Sequence, residues 1–182
     1  MLLLLLKGDV EEGGEEWEES TVLAEEFDFA KIGRSPARFD EVDLTGLNAA
    51  LVHDMAFETA RERLAAIDPA AADQAFWQLV RENCETVGDA ARFVPVAFGE
   101  IAPVIDAEDR DFITAAAKLL PDGEMTPETW KSWTDAIKAE TGRKGRGLFM
   151  PLRKVLTGME HGPDVGAMLV LMGRDRAAAR LA

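Results

Sequence analysis

Histidine and cysteine are scarce in this chain of 182 residues: two of the first, His53 and His161, and one of the second, Cys84. A single thiol builds neither a disulfide framework nor a cysteine-rich zinc site, and it fits a reducing compartment. The two histidines lie on different segments, with no HExxH or GxSxG around them, so metal-dependent or triad hydrolysis has nothing to stand on. Long apolar runs are also missing. The longest, Met1 to Leu6, is far short of the ~20 residues a membrane span needs. No basic leader precedes it and acidic residues follow it, so a secretory signal is not expected. It reads as the end of a buried helix, or as the point where a longer chain was cut; a cytoplasmic location is expected. Basic charge is the third shortage, with 20 Lys and Arg against 34 Asp and Glu, a net charge of −14.

The deficit is uneven. Residues 1–30 hold one base and ten acids, residues 31–140 hold 11 bases and 21 acids, and residues 141–182 hold eight bases and three acids. An acidic average opposes indiscriminate binding to a polyanion. Salt screens charges beyond ~8–10 Å, however, so a basic end on an acidic body can still hold a phosphate backbone in one pose. With 47% hydrophobic and 30% charged residues, the chain is long enough to bury a core as one domain or two small ones.

Residues 8–20 are acidic and nearly free of apolar side chains, as an exposed loop would be. A short helix is expected over Thr21–Phe27 and an anchored loop over residues 29–39. Beyond that the period is helical. Asp40 is a candidate cap for a helix with Val42, Leu44, Leu47, Leu51 and Val52 on its apolar side. Phe57, Ala60, Leu64 and Ile67 mark a second helix. Asp68-Pro69 opens a third that carries Phe76, Leu79, Val80 and Cys84. A fourth carries Ala91, Val94, Phe98 and Ile101. The fifth starts at Asp106, and the sixth runs from Thr126-Pro127 to Thr141-Gly142. Three shorter helices follow, Leu148–Leu156, Pro163–Met172 and Arg174–Leu181, the last two parted by Gly173. No stretch keeps a period of two, and Asp122-Gly123 lies between helical patterns. The expected fold is all-α, about nine helices in two packed subdomains. The expected divisions are an acidic junction at 1–30, a first helical subdomain at 31–110 and a second at 111–182.

An active site is not apparent. Gly142-Arg143-Lys144-Gly145-Arg146-Gly147 lacks the spacing of a phosphate-binding P-loop, and a helix precedes it where a strand is required. Glu108, Asp109 and Asp111 crowd a helix start, where acids complement the dipole. Trp130 and Trp133 share a face, as a core stripe would, with a base-stacking platform as the alternative; Cys84 reads as a small buried hydrophobe.

Two blocks are specific. Residues 144–158, KGRGLFMPLRKVLTG, are followed by His161-Gly162-Pro163 and then by Leu171-Met172-Gly173-Arg174. Residues 27–40, FDFAKIGRSPARFD, precede Leu47-Asn48. In that order the blocks resemble the C-terminal end of bacterial glutamyl-tRNA synthetase, over residues 20–182. The ATP-binding signatures of that family, of HIGH and KMSKS type, do not occur. The resemblance therefore implies an anticodon-binding, monomeric region whose partners are tRNA (glutamate tRNA, with glutamine tRNA left open) and a separate catalytic domain. ATP, Mg²⁺ and glutamate would belong to that domain.

It also implies a site. Positions matching Met150, Arg153, Gly162, Pro163 and Val165 lie at the anticodon in this family. Arg153 offers a planar guanidinium for a base edge or ring, and Met150 lies on its face of the helix. Pro163 would start a helix whose free N–H groups meet a base or phosphate beside Gly162, and Val165 would wall it. Some members carry a hydroxyl residue where Gly162 stands. Arg143, Lys144 and Arg146 suit phosphates. Plainer readings stay open: Met150 and Val165 as core, and Arg153 paired with Glu160 or Asp164. Two other functions also remain, a stand-alone RNA-binding or regulatory paralogue and an acidic helical protein-interaction module.

Overall fold

The computed structural model describes residues 41–182. The acidic junction, the Thr21–Phe27 helix, the loop at 29–39 and the cap expected at Asp40 lie outside them. The described residues are all-helical, with eight α-helices: α1 Glu41–Asp54, α2 Phe57–Ile67, α3 Gln74–Val80, α4 Val94–Ala97, α5 Arg110–Lys118, α6 Pro127–Thr141, α7 Arg146–Thr157 and α8 Val165–Leu181. The last is broken at Gly173, whose φ of 73° and ψ of 170° interrupt the helical run.

Local chemistry sets most of the boundaries. The expected third helix is two pieces, because two aspartates compete to start it. Asp68 accepts from the Ala70 amide at 2.8 Å and caps only the 3₁₀ turn Pro69–Ala71. Asp73 then accepts from the Phe76 amide at 2.8 Å and begins α3. Each is an N-cap satisfying a donor that the helix leaves orphaned. The fourth helix is likewise shorter than its apolar spacing suggests. A 3₁₀ segment, Val87–Arg92, is fastened by Asp89, which accepts from the Thr86 amide at 2.7 Å and the Glu85 amide at 3.0 Å. These amides, Thr86 first, hold the Asp89 carboxyl below its ordinary value. Then α4 takes Pro95 in its first turn and ends at Ala97. Glycines in the left-handed region close α6 at Gly142 (φ 70°) and α7 at Gly158 (φ 70°).

The core is built around α8, which packs against α3, α4, α5, α6 and α7. It contributes Met168, Leu169, Met172, Ala177 and Leu181, which join Phe76, Trp77, Trp133, Ile137, Leu152 and Leu156 in the core. The expected first helix is present as α1, but its apolar residues are unevenly covered. Of its apolar residues Val52 is buried, whereas Leu47 is 57% exposed and Leu51 47% exposed. This helix meets the 3₁₀ turn Arg81–Asn83, and Asn48 donates to the Glu85 carbonyl.

One polar residue crosses this core. Arg180, 4% exposed, donates to the carbonyls of Val96 (2.8 Å), Leu156 (2.6 Å), Gly99 (3.0 Å) and Pro95 (3.2 Å). Among the described residues no carboxylate pairs with it. Its partners are carbonyls at the C-terminal ends of α4 and α7, which carry the negative pole of each helix. Burial lowers its pKa from the ordinary arginine value.

Candidate nucleic-acid interface

The basic C-terminal segment is carried by α7, and the helical period decides which of its side chains share a side. At about 100° per residue, Phe149, Arg153, Arg146, Met150 and Lys154 succeed one another across roughly 140° of its surface. All five are exposed or half-buried, while Leu148, Pro151, Leu152, Val155 and Leu156 turn into the core. Pro151 cannot donate to the Gly147 carbonyl one turn earlier, and Arg143 Nη1 donates to that oxygen instead at 3.3 Å.

Arg143 is thereby committed to the protein. Besides Gly147 it pairs with the nearly buried Asp109, donates to the Glu108 carbonyl at 3.3 Å and lies 4.4 Å from the centre of the Phe112 ring. It clamps the loop before α7 to the start of α5. Lys144 and Arg146 differ: both are exposed, and among the described residues neither has an ion-pair partner. Lys154, not singled out from the sequence, bridges Asp106 at 3.0 Å and Glu160 at 3.1 Å. Those bonds, Asp106 first, raise its pKa. Asp106 therefore spends its carboxylate on Lys154 and makes no cap bond. Arg143, Arg146, Met150 and Lys154 line one side of a cleft of about 620 Å³, faced by Asp106, Glu108, Asp109 and Glu160. A phosphate entering there meets Arg143 and Lys154 already paired with protein acids, and Arg146 with no ion-pair partner among the described residues.

Arg153 and the loop after α7 come together. Arg153 Nη1 donates to the carbonyls of Pro163 (3.1 Å) and Gly162 (3.4 Å), so its partners are backbone oxygens and neither Glu160 nor Asp164. This fixes one end of the guanidinium. Gly162 has a φ of 144°, a conformation that side chains rarely adopt. The helix start expected at Pro163 is displaced. Asp164 is the cap, accepting from the Ala167 amide at 2.8 Å, and α8 begins at Val165. The carboxylate sits where a free N–H was expected to meet an anion. Pro163 is buried and Val165 is only 4% exposed; both shape the loop from beneath. Met150 and Arg153 remain the half-exposed members of the predicted five alongside Gly162.

The sequence reading passed over Phe149, which is 45% exposed. The signal was available: it lies three residues after Arg146 and four before Arg153, hence on their side of α7. Its ring is 6.3 Å from Trp130, which meets Trp133 edge-on at 5.9 Å. Trp133 is fully buried, with Nε1 donating to the Ala116 carbonyl at 3.0 Å, as a core stripe requires; Trp130 is half-buried.

The arrangement is a helical domain with a basic, aromatic-edged helix beside a glycine–proline loop. The family model of the anticodon binding domain matches residues 48–182, and the chain belongs to that family. Among curated relatives, glutamate–tRNA ligase 2 of Hyphomonas neptunium is 59% identical over 87% of this chain and 36% of its own length. Glutamate–tRNA ligase 2 of Methylorubrum populi is 54% identical over 88% of this chain and 35% of its own. The chain thus spans about a third of the relatives it matches. The solved glutamate tRNA ligase of Elizabethkingia meningosepticum superposes with a TM-score of 0.69 at 20% identity, covering 85% of this chain and 34% of that one. At that identity the likeness concerns the fold.

Proposed function

We propose that this chain is the tRNA-anticodon-binding part of a glutamate–tRNA ligase. The supporting observation is the α7 side on which Arg146, Met150 and Arg153 lie together beside Gly162, inside the matched anticodon-binding domain. RNA sequence is read mostly on unstacked loop bases. Arg153, anchored at Nη1 by two carbonyls, presents the rest of its planar guanidinium in one orientation, and Met150 offers a soft apolar contact. Lys144 and Arg146 hold backbone phosphates. Arg143 serves the same site indirectly, by positioning the loop that carries them. Pro163 and Val165 set the loop's shape. Residues 143–165 all fall in the second expected subdomain, 111–182.

The partner is glutamate tRNA, and the module works as a monomer in the cytoplasm. Among the described residues no helix is long and apolar enough to cross a membrane. Attachment of glutamate, with ATP and Mg²⁺, belongs to a catalytic domain joined to this module. Among the described residues no three His, Cys, Asp or Glu side chains converge as a metal site. Chemical probing of glutamate tRNA with and without the chain tests the reading. Protection confined to the anticodon stem and loop is expected. Protection of the acceptor arm alone, or of no nucleotide, would overturn it.

A further inference from the structure

We propose that Phe149, braced by Trp130, is a stacking platform for one unpaired base of the bound RNA loop. A large ring that is 45% exposed, on a helix whose opposite side is fully packed, calls for a ligand only if its surroundings supply one. Here they do. Arg146 and Arg153 flank it at helical spacing, and exposed Lys144 stands in the loop just before the helix. Single-strand RNA sites combine these two elements, aromatic faces for bases and cations for the phosphates between them.

The ring is also held in advance. Behind it Trp130 lies at 6.3 Å with a 37° tilt, and Trp130 rests in turn on Trp133. Trp130 can lie where it does because residue 166 is glycine: a Cβ there would be 2.9 Å from Trp130 Cγ. Three rings thus run from the core to the surface and end in a ring that is 45% exposed, with Arg146 about one turn before it and Arg153 about one turn after it along the helix. A preset ring loses little freedom when a base lands on it. Every base has such a face, so this contact adds affinity without discrimination, whereas Arg153 reads an edge.

The inference rests on the tRNA-recognition reading, and its test separates the two. The full chain is titrated with an anticodon stem-loop of glutamate tRNA, with the same stem-loop carrying an altered anticodon, and with variants made abasic at each loop position in turn. Phe149→Leu should weaken the parent stem-loop at least fivefold, and Phe149→Trp should restore it, both with unchanged circular dichroism. At one loop position the abasic variant should remove the Phe149→Leu effect altogether. Anticodon-dependent binding by the wild type with no effect of Phe149→Leu would overturn the platform alone. So would an equal effect at every abasic position. Wild-type binding indifferent to the anticodon, or absent, would overturn both.

Discussion

Arg180 carries the largest single-residue consequence. It supplies four hydrogen bonds of 2.6–3.2 Å to helix-end carbonyls from a buried position. Replacing it with methionine keeps the stem and removes the donors. Hydrogen bonds from a charged donor contribute about 1.5–3 kcal/mol each. The Val96 and Leu156 oxygens are in buried surroundings and lose that support outright. The Gly99 oxygen borders a cleft of about 540 Å³ that also touches Arg180, where water can replace the donor, and the bond to Pro95 is only partly buried. Two bonds lost in full, offset by release from burying a charge without a carboxylate, give a cost of about 3–4 kcal/mol. A domain of this size loses roughly 2–4 °C per kcal/mol, so the midpoint should fall by about 6–16 °C. Arg180→Lys, with one compact ammonium in place of a planar fork, should lie in between. Urea unfolding followed by circular dichroism measures this, with the slope m expected to stay constant. A methionine variant within about 1 kcal/mol of wild type would refute the idea that these carbonyls depend on Arg180.

Other consequences follow from the same contacts. Gly166→Ala should cost about 1–3 kcal/mol by overpacking against Trp130 and should alter near-ultraviolet dichroism; an unchanged spectrum and midpoint would contradict the contact. Burial pushes the Cys84 thiol up to about 11 from 9.0, so alkylation at pH 8 should be slow in native chain and fast in urea. Because the folded thiol holds its proton longer, this group's contribution to stability persists below pH 9 and is lost as pH rises towards 11. Arg153→Ala should relax discrimination at one anticodon base at a cost of about 1–3 kcal/mol, read by competition between stem-loops; equal losses for all sequences would contradict an edge-reading role. Lys144→Ala should weaken all stem-loops alike and flatten the salt dependence, and a sequence-selective loss would contradict phosphate contact.

The fold was legible wherever a local signal was unopposed. Thr126-Pro127 opens α6, Gly142 closes it and Gly173 breaks α8, because those residues limit the backbone themselves. Legibility failed where two such signals compete. Asp68 and Asp73 both cap, so the third helix splits, and Asp164 captures the helix start that Pro163 was expected to provide. Periodicity predicted an apolar side for α1 but not which neighbour would cover it, and Leu47 and Leu51 are exposed. The site shows the same division. Spacing brought Met150 and Arg153 to one side of α7, whereas the commitment of Arg143 to Asp109 and of Lys154 to Asp106 depends on residues more than 30 positions away. Phe149 was hidden in plain sequence, since an apolar residue within a helix is assigned to the core until its direction is known.

The central claim is that the chain reads an anticodon. Its most direct test is a binding titration against glutamate tRNA and against the same tRNA with its anticodon exchanged, each at low and at physiological salt. Tighter binding to the glutamate anticodon is expected at both salts, with a common weakening by salt for both RNAs. Equal affinity for the two tRNAs would contradict it, leaving a basic patch that holds phosphates without reading bases.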